Sequence, residues 1–109
     1  MSGPSRDFEQ ALRRLRAEYR AALPARLDDL EADVARARQG GHQEALGDAR
    51  RRAHTLKGTS GSYGLDAVSK ALEAAEQALD ELLGGAEDDD RAWGALSAAL
   101  ERARSQIAS

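Results

Sequence analysis

One histidine of this chain lies among cations at helical spacing. Arg50 and Arg51 precede His54 by four and three residues, and Lys57 and Gly58 follow it by three and four. Residues three and four apart are neighbours on one face of an α-helix, so these residues surround the imidazole. A neutral imidazole is a nucleophile, and cations beside it stabilise an anionic group that becomes attached to it. The pattern therefore predicts a histidine that could hold a phosphoryl group.

The residues of this helix that would face the protein core point away from the histidine. Each residue turns a helix by about 100°, which puts His54 roughly 100° from Ala53 and 160° from Leu56. Gly58 costs roughly 1 kcal/mol of helix propensity relative to alanine, so its place one turn from the histidine indicates that a side chain there is harmful. We therefore expect an exposed imidazole with room for another molecule to dock.

The elements that position this histidine are indicated by apolar spacing and by stop signals. Five helical segments are predicted: 5–23, a second from Pro24 to the glycines at 40 and 41, a third from 42 or 43 to about 60, a fourth from about 66 to 83, and a fifth after the acidic run 87–90. Pro24 suits the first turn of a helix because the N–H it lacks would be unpaired there. The stripes expected to face the core are Phe8, Leu12, Leu15 and Tyr19; Leu27, Leu30, Val34 and Ala37; Leu46, Ala49, Ala53, Leu56 and Ser60; Leu65, Val68, Leu72, Ala75, Leu79 and Leu82; and Trp93, Leu96, Leu100, Ala103 and Ile107.

The fold class follows from these segments and their short connections, which require consecutive helices to lie side by side. The predicted fold is all-α: an antiparallel up-down-up-down four-helix bundle with an additional N-terminal helix that caps or extends one end. A chain of 109 residues is long enough for one core, so we expect a single domain over 1–109, with residues 1–4 disordered.

The composition argues against several classes of function. The net charge is −3, whereas a general nucleic-acid-binding protein would carry a basic excess. The chain has no cysteine, which excludes disulfides and thiolate metal sites. No apolar run approaches the length of a membrane span, and the N-terminus lacks a hydrophobic signal core. We therefore expect a cytoplasmic protein that binds neither nucleic acid nor membranes.

The residues that follow His54 resemble a known signature. The run His54-Thr55-Leu56-Lys57-Gly58-Thr59-Ser60, followed by Gly64-Leu65, is similar to that of the histidine-containing phosphotransfer (Hpt) domains of two-component phosphorelays. In that family the histidine is followed by a lysine three residues on, a glycine four on, small residues, and a glycine–hydrophobic pair ten on. The family fold is a four-helix bundle with the histidine exposed midway along one helix, so the resemblance extends over nearly the whole chain.

The resemblance implies that His54 accepts a phosphoryl group from an aspartyl phosphate on a receiver domain and passes it to an aspartate on another. Lys57 would neutralise phosphoryl charge. Gly58 would let the partner approach closely, with Arg50, Arg51 and Gly61 as further partner-binding residues.

The resemblance also implies which other molecules take part. The partners would be response-regulator receiver domains, a hybrid sensor kinase, or both. Mg²⁺ would belong to the receiver, so this chain is expected to hold no cofactor or metal of its own. We expect a monomer without ATP-dependent kinase activity, because the bundle can close its own core and no nucleotide-binding domain is present.

One carboxylate is expected to orient the imidazole. If the third and fourth segments form a hairpin that turns near Tyr63, Glu73 and Glu76 both lie near the level of His54. A carboxylate that accepts the Nδ1–H would leave Nε2 free to attack. In the family a Gln or Glu at the position matching Glu76 plays this part, which favours Glu76 over Glu73. That either is only a solvated surface charge stays open.

Two other interpretations stay open. The chain could be an interaction protein that binds or inhibits a signalling partner without accepting phosphate, although a pure scaffold would have no need of the His-Lys-Gly set. It could also be an excised module of a chemotaxis-type kinase, since such kinases carry a related phosphotransfer module at one end of a long polypeptide. A sensor-kinase dimerisation domain is disfavoured because Thr55, rather than an acidic residue, follows the histidine, and no proline occurs after Pro24.

Overall fold

The computed structural model describes residues 4–40, 43–85 and 89–108 and contains four helices in these ranges: α1 (Pro4–Gly40), α2 (Gln43–Ser62), α3 (Asp66–Leu83) and α4 (Asp90–Ala108). The described residues form no strand, which confirms the all-α class. Residues 1–3 of the segment expected to be disordered lie outside the described ranges, and Pro4 already begins α1. His42, a predicted helix start, also lies outside them.

The helices form a closed bundle in chain order. Helix α1 packs on α2, α2 on α3, and α3 on α4, while α4 returns to contact α1. The antiparallel arrangement of α2 and α3 is visible in their contacts. Gly61 lies against Ser69 near the connecting turn, whereas Arg50 meets Asp80 at the far end. Among the contacting pairs, the residue number on α3 thus rises as the residue number on α2 falls.

The core is built from the predicted stripes of the last three helices together with Leu27, Leu30 and Ala37 of α1. Every predicted residue of α2 is buried, and so are those of α3 and α4 except Leu65 and Ile107, which are half-buried. The large side chains with less than 2% exposure come from all four helices: Leu23, Leu27, Leu30, Leu46, Leu72, Leu79, Leu82 and Leu96. Removal of this apolar surface from water is the main driving force for the bundle.

Helix α1 runs continuously through Pro24, where the sequence predicts a break between two helices. An interior proline costs an isolated helix roughly 3 kcal/mol, because it removes one hydrogen bond and crowds the preceding turn. Pro24 is exposed, whereas Leu23 and Leu27 on either side of it are fully buried in the core. Packing of these leucines holds both sides of the proline in one helix, so no separate N-terminal helix forms.

The first turns of α1 extend beyond the bundle. A helix of 37 residues is about 55 Å long, whereas the other helices have 18 to 20 residues and are about half as long. Because the first turns project past their neighbours, Phe8 is 67% exposed and Leu15 49% exposed. The apolar stripe expected to bury these two residues is therefore wrong for them, although Tyr19, farther along α1, packs against the core.

The turn between α2 and α3 depends on a glycine. The N–H of Leu65 donates to the carbonyl of Ser60 over 2.8 Å, which closes the last turn of α2. Gly64 has φ +77°, a left-handed conformation that side chains with a Cβ rarely adopt. This turn sets the register in which α3 returns along α2.

None of the described helices is long and apolar enough to cross a membrane.

A buried carboxylate ties α1 to α2. Asp33 on α1 is only 3% exposed and accepts a hydrogen bond from Arg52 Nε on α2 at 2.9 Å. Arg36, one turn along α1, donates to the other oxygen of the same carboxylate. A buried carboxylate is costly unless it is paired, so these two arginines determine whether Asp33 stabilises the bundle.

We expect Asp33→Ala to lower the free energy of unfolding by about 1–3 kcal/mol, because both arginines lose their buried partner but can return to water. Urea denaturation followed by circular dichroism measures this change. The matched control is Asp29→Ala, since Asp29 lies 3.8 Å from Arg52 but its side chain is 64% exposed. Equal losses in the two variants would contradict the argument from burial.

Candidate functional site

His54 lies on the outer face of α2 and is held from α3. Its side chain is 61% exposed, while Ala53 and Leu56 beside it are buried in the core. The imidazole contacts α3 through Nδ1, which lies 2.8 Å from Glu76 Oε2. The buried neighbours position the backbone of His54, and the contact with α3 sets the direction of its ring.

The contact with Glu76 determines which nitrogen of the ring can react. A carboxylate can only accept a hydrogen bond, so Nδ1 must be the donor and carry a proton. In the neutral imidazole this leaves the lone pair on Nε2. The exposed imidazole therefore has a nucleophilic nitrogen available on the ring atom that Glu76 does not contact.

Glu76 is the most buried charged group of the site, with a side chain only 9% exposed. Lys57 Nζ lies 2.8 Å from Oε1, and Oε2 faces His54 and, at 3.7 Å, Arg50 Nη2. The hydrogen bond from Lys57 lowers the pKa of Glu76, and the bond from His54 lowers it further, against the opposing effect of burial. The carboxylate is therefore charged when it meets the imidazole.

The geometry shows which of the two glutamates contacts the imidazole, a choice that the sequence leaves open. Glu73 and Glu76 are three residues apart and thus about 60° apart around α3. Glu76 points into the seam between the helices, whereas Glu73 is exposed. Glu73 acts at a distance, since its negative charge contributes to raising the pKa of Lys57, after the larger effect of the hydrogen bond to Glu76. The structure places Glu76, and not Glu73, against the ring.

The basic residues around His54 differ in their partners. Lys57 is bound to Glu76, so its ammonium is engaged inside the site and its side chain is only 28% exposed. Arg50 Nε donates to Asp80 Oδ1 on α3 at 2.5 Å. Arg51 pairs with Asp48 on its own helix and is 75% exposed. The roles predicted for these three cations stay predictions.

Sequence reasoning missed Asp80 as a member of the site. Asp80 follows Glu76 by four residues and therefore lies on the same face of α3, one turn further from the connecting turn. Because α2 and α3 are antiparallel, Arg50, four residues before His54, meets Asp80, four residues after Glu76. The register alone could have paired Arg50 with Asp80.

The two predicted partner-binding glycines have different surroundings. A Cβ added at Gly58 would meet nothing within 4 Å, so packing inside the protein does not require a glycine there. A Cβ added at Gly61 would lie 3.3 Å from Ser69 Oγ, a hydroxyl that donates to the carbonyl of Lys57 at 3.0 Å. Gly61 thus serves the close approach of α2 and α3, whereas Gly58 leaves open space beside the histidine.

We expect Gly58→Leu to fold at least as stably as the parent, because leucine favours a helix by up to about 1 kcal/mol over glycine. The leucine should nevertheless weaken binding of a receiver domain about tenfold or more, since its side chain would overpack a close interface. Calorimetric titration measures the affinity. Gly94→Leu, at an equally open position on α4, is the matched control and should bind normally. Unchanged affinity of Gly58→Leu would remove this surface from the docking face.

Comparisons with known proteins agree with this geometry. A family model described as Hpt domain matches residues 7–106, which include all the site residues. The chain is also similar to a chemotaxis protein CheA of Halobacterium salinarum, with 35% identity over 79 residues. That match covers 72% of this chain but 11% of the relative, so the chain spans about a tenth of its length. No solved structure matches the chain.

Proposed function

Because the chain belongs to the Hpt family of two-component phosphotransfer domains, we propose that it is a phosphorelay intermediate. His54 accepts a phosphoryl group from an aspartyl phosphate of one receiver domain and passes it to the aspartate of another. The observation that supports this most directly is the exposed imidazole whose Nδ1 meets the buried carboxylate of Glu76 at 2.8 Å. That contact leaves Nε2 as the nucleophile.

In the accepting step, the Nε2 lone pair forms a bond to phosphorus in line with the leaving group. The bond from phosphorus to the receiver aspartate breaks, and its electron pair returns to that carboxylate. The Nδ1 proton stays on the ring, which gains positive charge while Glu76 offers a compensating negative charge at 2.8 Å. Positioning and charge stabilisation supply most of the catalysis in phosphoryl transfer, and this protein provides both for the nucleophile.

In the donating step, a carboxylate oxygen of a second receiver attacks phosphorus, and the electron pair of the nitrogen–phosphorus bond returns to Nε2. Mg²⁺ bound to the receiver would offset phosphoryl charge in both steps. Lys57 would add positive charge from this protein. Gly58, whose surroundings are open, would let the receiver bring its phosphoaspartate within reach.

The proposal carries further expectations about the partners. Receiver domains, with or without a hybrid sensor kinase, would dock on the α2 face that presents Arg50, Arg51 and Gly58. We propose that the protein acts as a monomer in the cytoplasm and does not phosphorylate itself from ATP. The four helices already enclose the core residues of one chain, so a second copy is not needed for stability.

The similarity to the chemotaxis protein CheA favours a second candidate donor. If this chain works as a module of a chemotaxis-type kinase, the phosphoryl group would come from ATP through a separate kinase domain. His54 and Glu76 would have the same parts in that reaction, and only the donor would differ. The donor must therefore be identified by experiment with both sources of phosphate.

The test is to incubate the protein with receiver domains of its source organism that carry radiolabelled phosphate. We expect label to appear on the protein in a form that is labile in acid and stable in base, as a phosphoramidate bond is and an aspartyl phosphate is not. A parallel reaction with ATP and a chemotaxis-type kinase tests the second donor. Binding of receivers without any transfer of label from either donor would support the interaction-protein alternative instead.

A further inference from the structure

Arg50 is held beside the histidine by a residue that makes no contact with the ring. Its Nε donates to Asp80 Oδ1 at 2.5 Å, and its Nη2 lies 3.7 Å from Glu76 Oε2. The same Oε2 is 2.8 Å from His54 Nδ1. The guanidinium and the imidazole thus share one carboxylate oxygen, Oε2 of Glu76, and the hydrogen bond to Asp80 determines the position of the guanidinium.

The direction of side chains on a helix brings the ring toward this arginine. The Cα–Cβ bonds of a helix tilt toward its N-terminus, so the imidazole of His54 leans over the turn that contains Arg50. Lys57 lies one turn in the other direction, and its ammonium is already bound to Glu76 at 2.8 Å. Of these two cations, Arg50 is the one whose hydrogen-bond partner, Asp80, lies away from the ring. Its contact with Glu76, the carboxylate that orients the histidine, is longer, at 3.7 Å.

The pair of Arg50 and Asp80 is also able to separate. Their side chains are 41% and 50% exposed, so water can replace either partner. The hydrogen bond and charge of Asp80 raise the pKa of Arg50, followed by a smaller contribution from Glu76, so the guanidinium carries its full charge. A phosphoryl group brings nearly two negative charges and several acceptor oxygens, which a planar guanidinium binds with two parallel hydrogen bonds. A phosphoryl group on Nε2 therefore competes well with one solvated carboxylate.

We propose that Asp80 binds Arg50 while His54 is unphosphorylated, and that Arg50 moves from Asp80 to the phosphoryl oxygens when His54 is phosphorylated. Asp80 thereby sets the lifetime of the phosphohistidine. This inference rests on the proposed function, because it concerns the phosphorylated state of the same histidine. Neither residue makes or breaks a covalent bond. Arg50 stabilises the phosphoryl group, and Asp80 acts only through Arg50, as a positioning residue.

The inference predicts opposite effects from the two members of one ion pair. Asp80→Asn releases Arg50 and should lengthen the half-life of the phosphohistidine, whereas Arg50→Gln should shorten it. We expect each change to be roughly three- to tenfold, the scale of one charge-assisted hydrogen bond that water partly screens. A merely structural link between α2 and α3 would instead make the two variants behave alike.

The experiment uses phosphoramidate, a small donor that phosphorylates histidine without a receiver, so that docking does not affect the result. After removal of the donor, ³¹P NMR follows the decay of the phosphohistidine signal. Glu81→Gln is the matched control, because it removes the same charge from the next residue of α3, about 100° around the helix. Its half-life should equal that of the parent. Circular dichroism verifies that each variant is folded.

A double variant separates the action of Asp80 through Arg50 from its own repulsion of the phosphoryl group. In the Arg50→Gln background, Asp80→Asn should no longer change the half-life. A full effect of Asp80→Asn in that background, equal half-lives in all variants, or changes of the same sign would overturn the inference while the proposed function stands. Absence of any phosphohistidine in the parent protein, from phosphoramidate or from receivers, would overturn both.

Discussion

The His54→Gln variant is expected to take up no measurable phosphate, which is a loss of at least about 10³-fold in the rate of transfer, because removal of a nucleophile leaves no other group at its position. Glutamine has about the length of histidine and keeps an amide near Glu76, but its nitrogen has no basic lone pair to attack phosphorus. Quantification of acid-labile label on the protein after incubation with a phosphorylated receiver measures this loss.

His42→Gln is the matched control for this prediction, since His42 is the other histidine of the chain. It should accept phosphate at the parental rate. Thermal unfolding of His54→Gln should be close to that of the parent, because the imidazole is 61% exposed and contributes no core packing. Acid-labile phosphate on His54→Gln, or its loss from His42→Gln, would assign the phosphoryl group to a different residue and contradict the proposed function.

A second large effect is expected from Glu76→Ala, which should lower the rate of phosphate uptake about 10²-fold, the scale of loss that a small misplacement of a reacting group causes. Without the carboxylate, the imidazole can rotate and exchange its proton between the two nitrogens, so Nε2 is the free nucleophile only part of the time. The positive charge that develops on the ring also loses its nearest compensation, at 2.8 Å. Single-turnover kinetics at saturating receiver measures the chemical step apart from docking.

Two comparison variants test this explanation. Glu76→Gln keeps an oxygen that can accept from Nδ1–H but no charge, so its rate should lie between those of Glu76→Ala and the parent. Glu73→Ala removes a carboxylate of the same helix that is exposed and should have a much smaller effect. If Glu73→Ala were the more damaging change, the ring in solution would be oriented by a group other than Glu76.

The lowered pKa of Glu76 also predicts a dependence of stability on pH. A carboxyl whose pKa is lower in the folded than in the unfolded chain stabilises the fold above its ordinary pKa of 4.5. That contribution is lost as the pH falls through the lowered value. The difference in unfolding free energy between the parent and Glu76→Gln should therefore shrink as the solution is acidified below the ordinary range. A difference that grows in acid would contradict the assignment of a charged Glu76.

The sequence predicted the helices well where a single face had to meet the core. The stripe on α2 from Leu46 to Ser60 is buried at every predicted position, because helical periodicity directly reports which side chains can leave water together. Pro24 shows the limit of this reasoning. A proline is a local signal for a helix boundary, but the burial of Leu23 and Leu27 is a tertiary effect that outweighs it. Similarly, the apolar character of Phe8 could not indicate that its helix extends beyond the ends of the neighbouring helices.

At the site, what the chain alone determined is local. Spacing along one helix was enough to predict the candidate histidine with cations within one turn of it, the exposure of His54 and the open position at Gly58. The partners of those groups were decided by tertiary structure. Which of Glu73 and Glu76 touches the imidazole depends on a rotation of about 60° around α3, and the pairing of Arg50 with Asp80 depends on the register of two helices. Periodicity defines directions around one helix, whereas contacts between helices depend on how the turn at Gly64 and the packed core set one helix against the other.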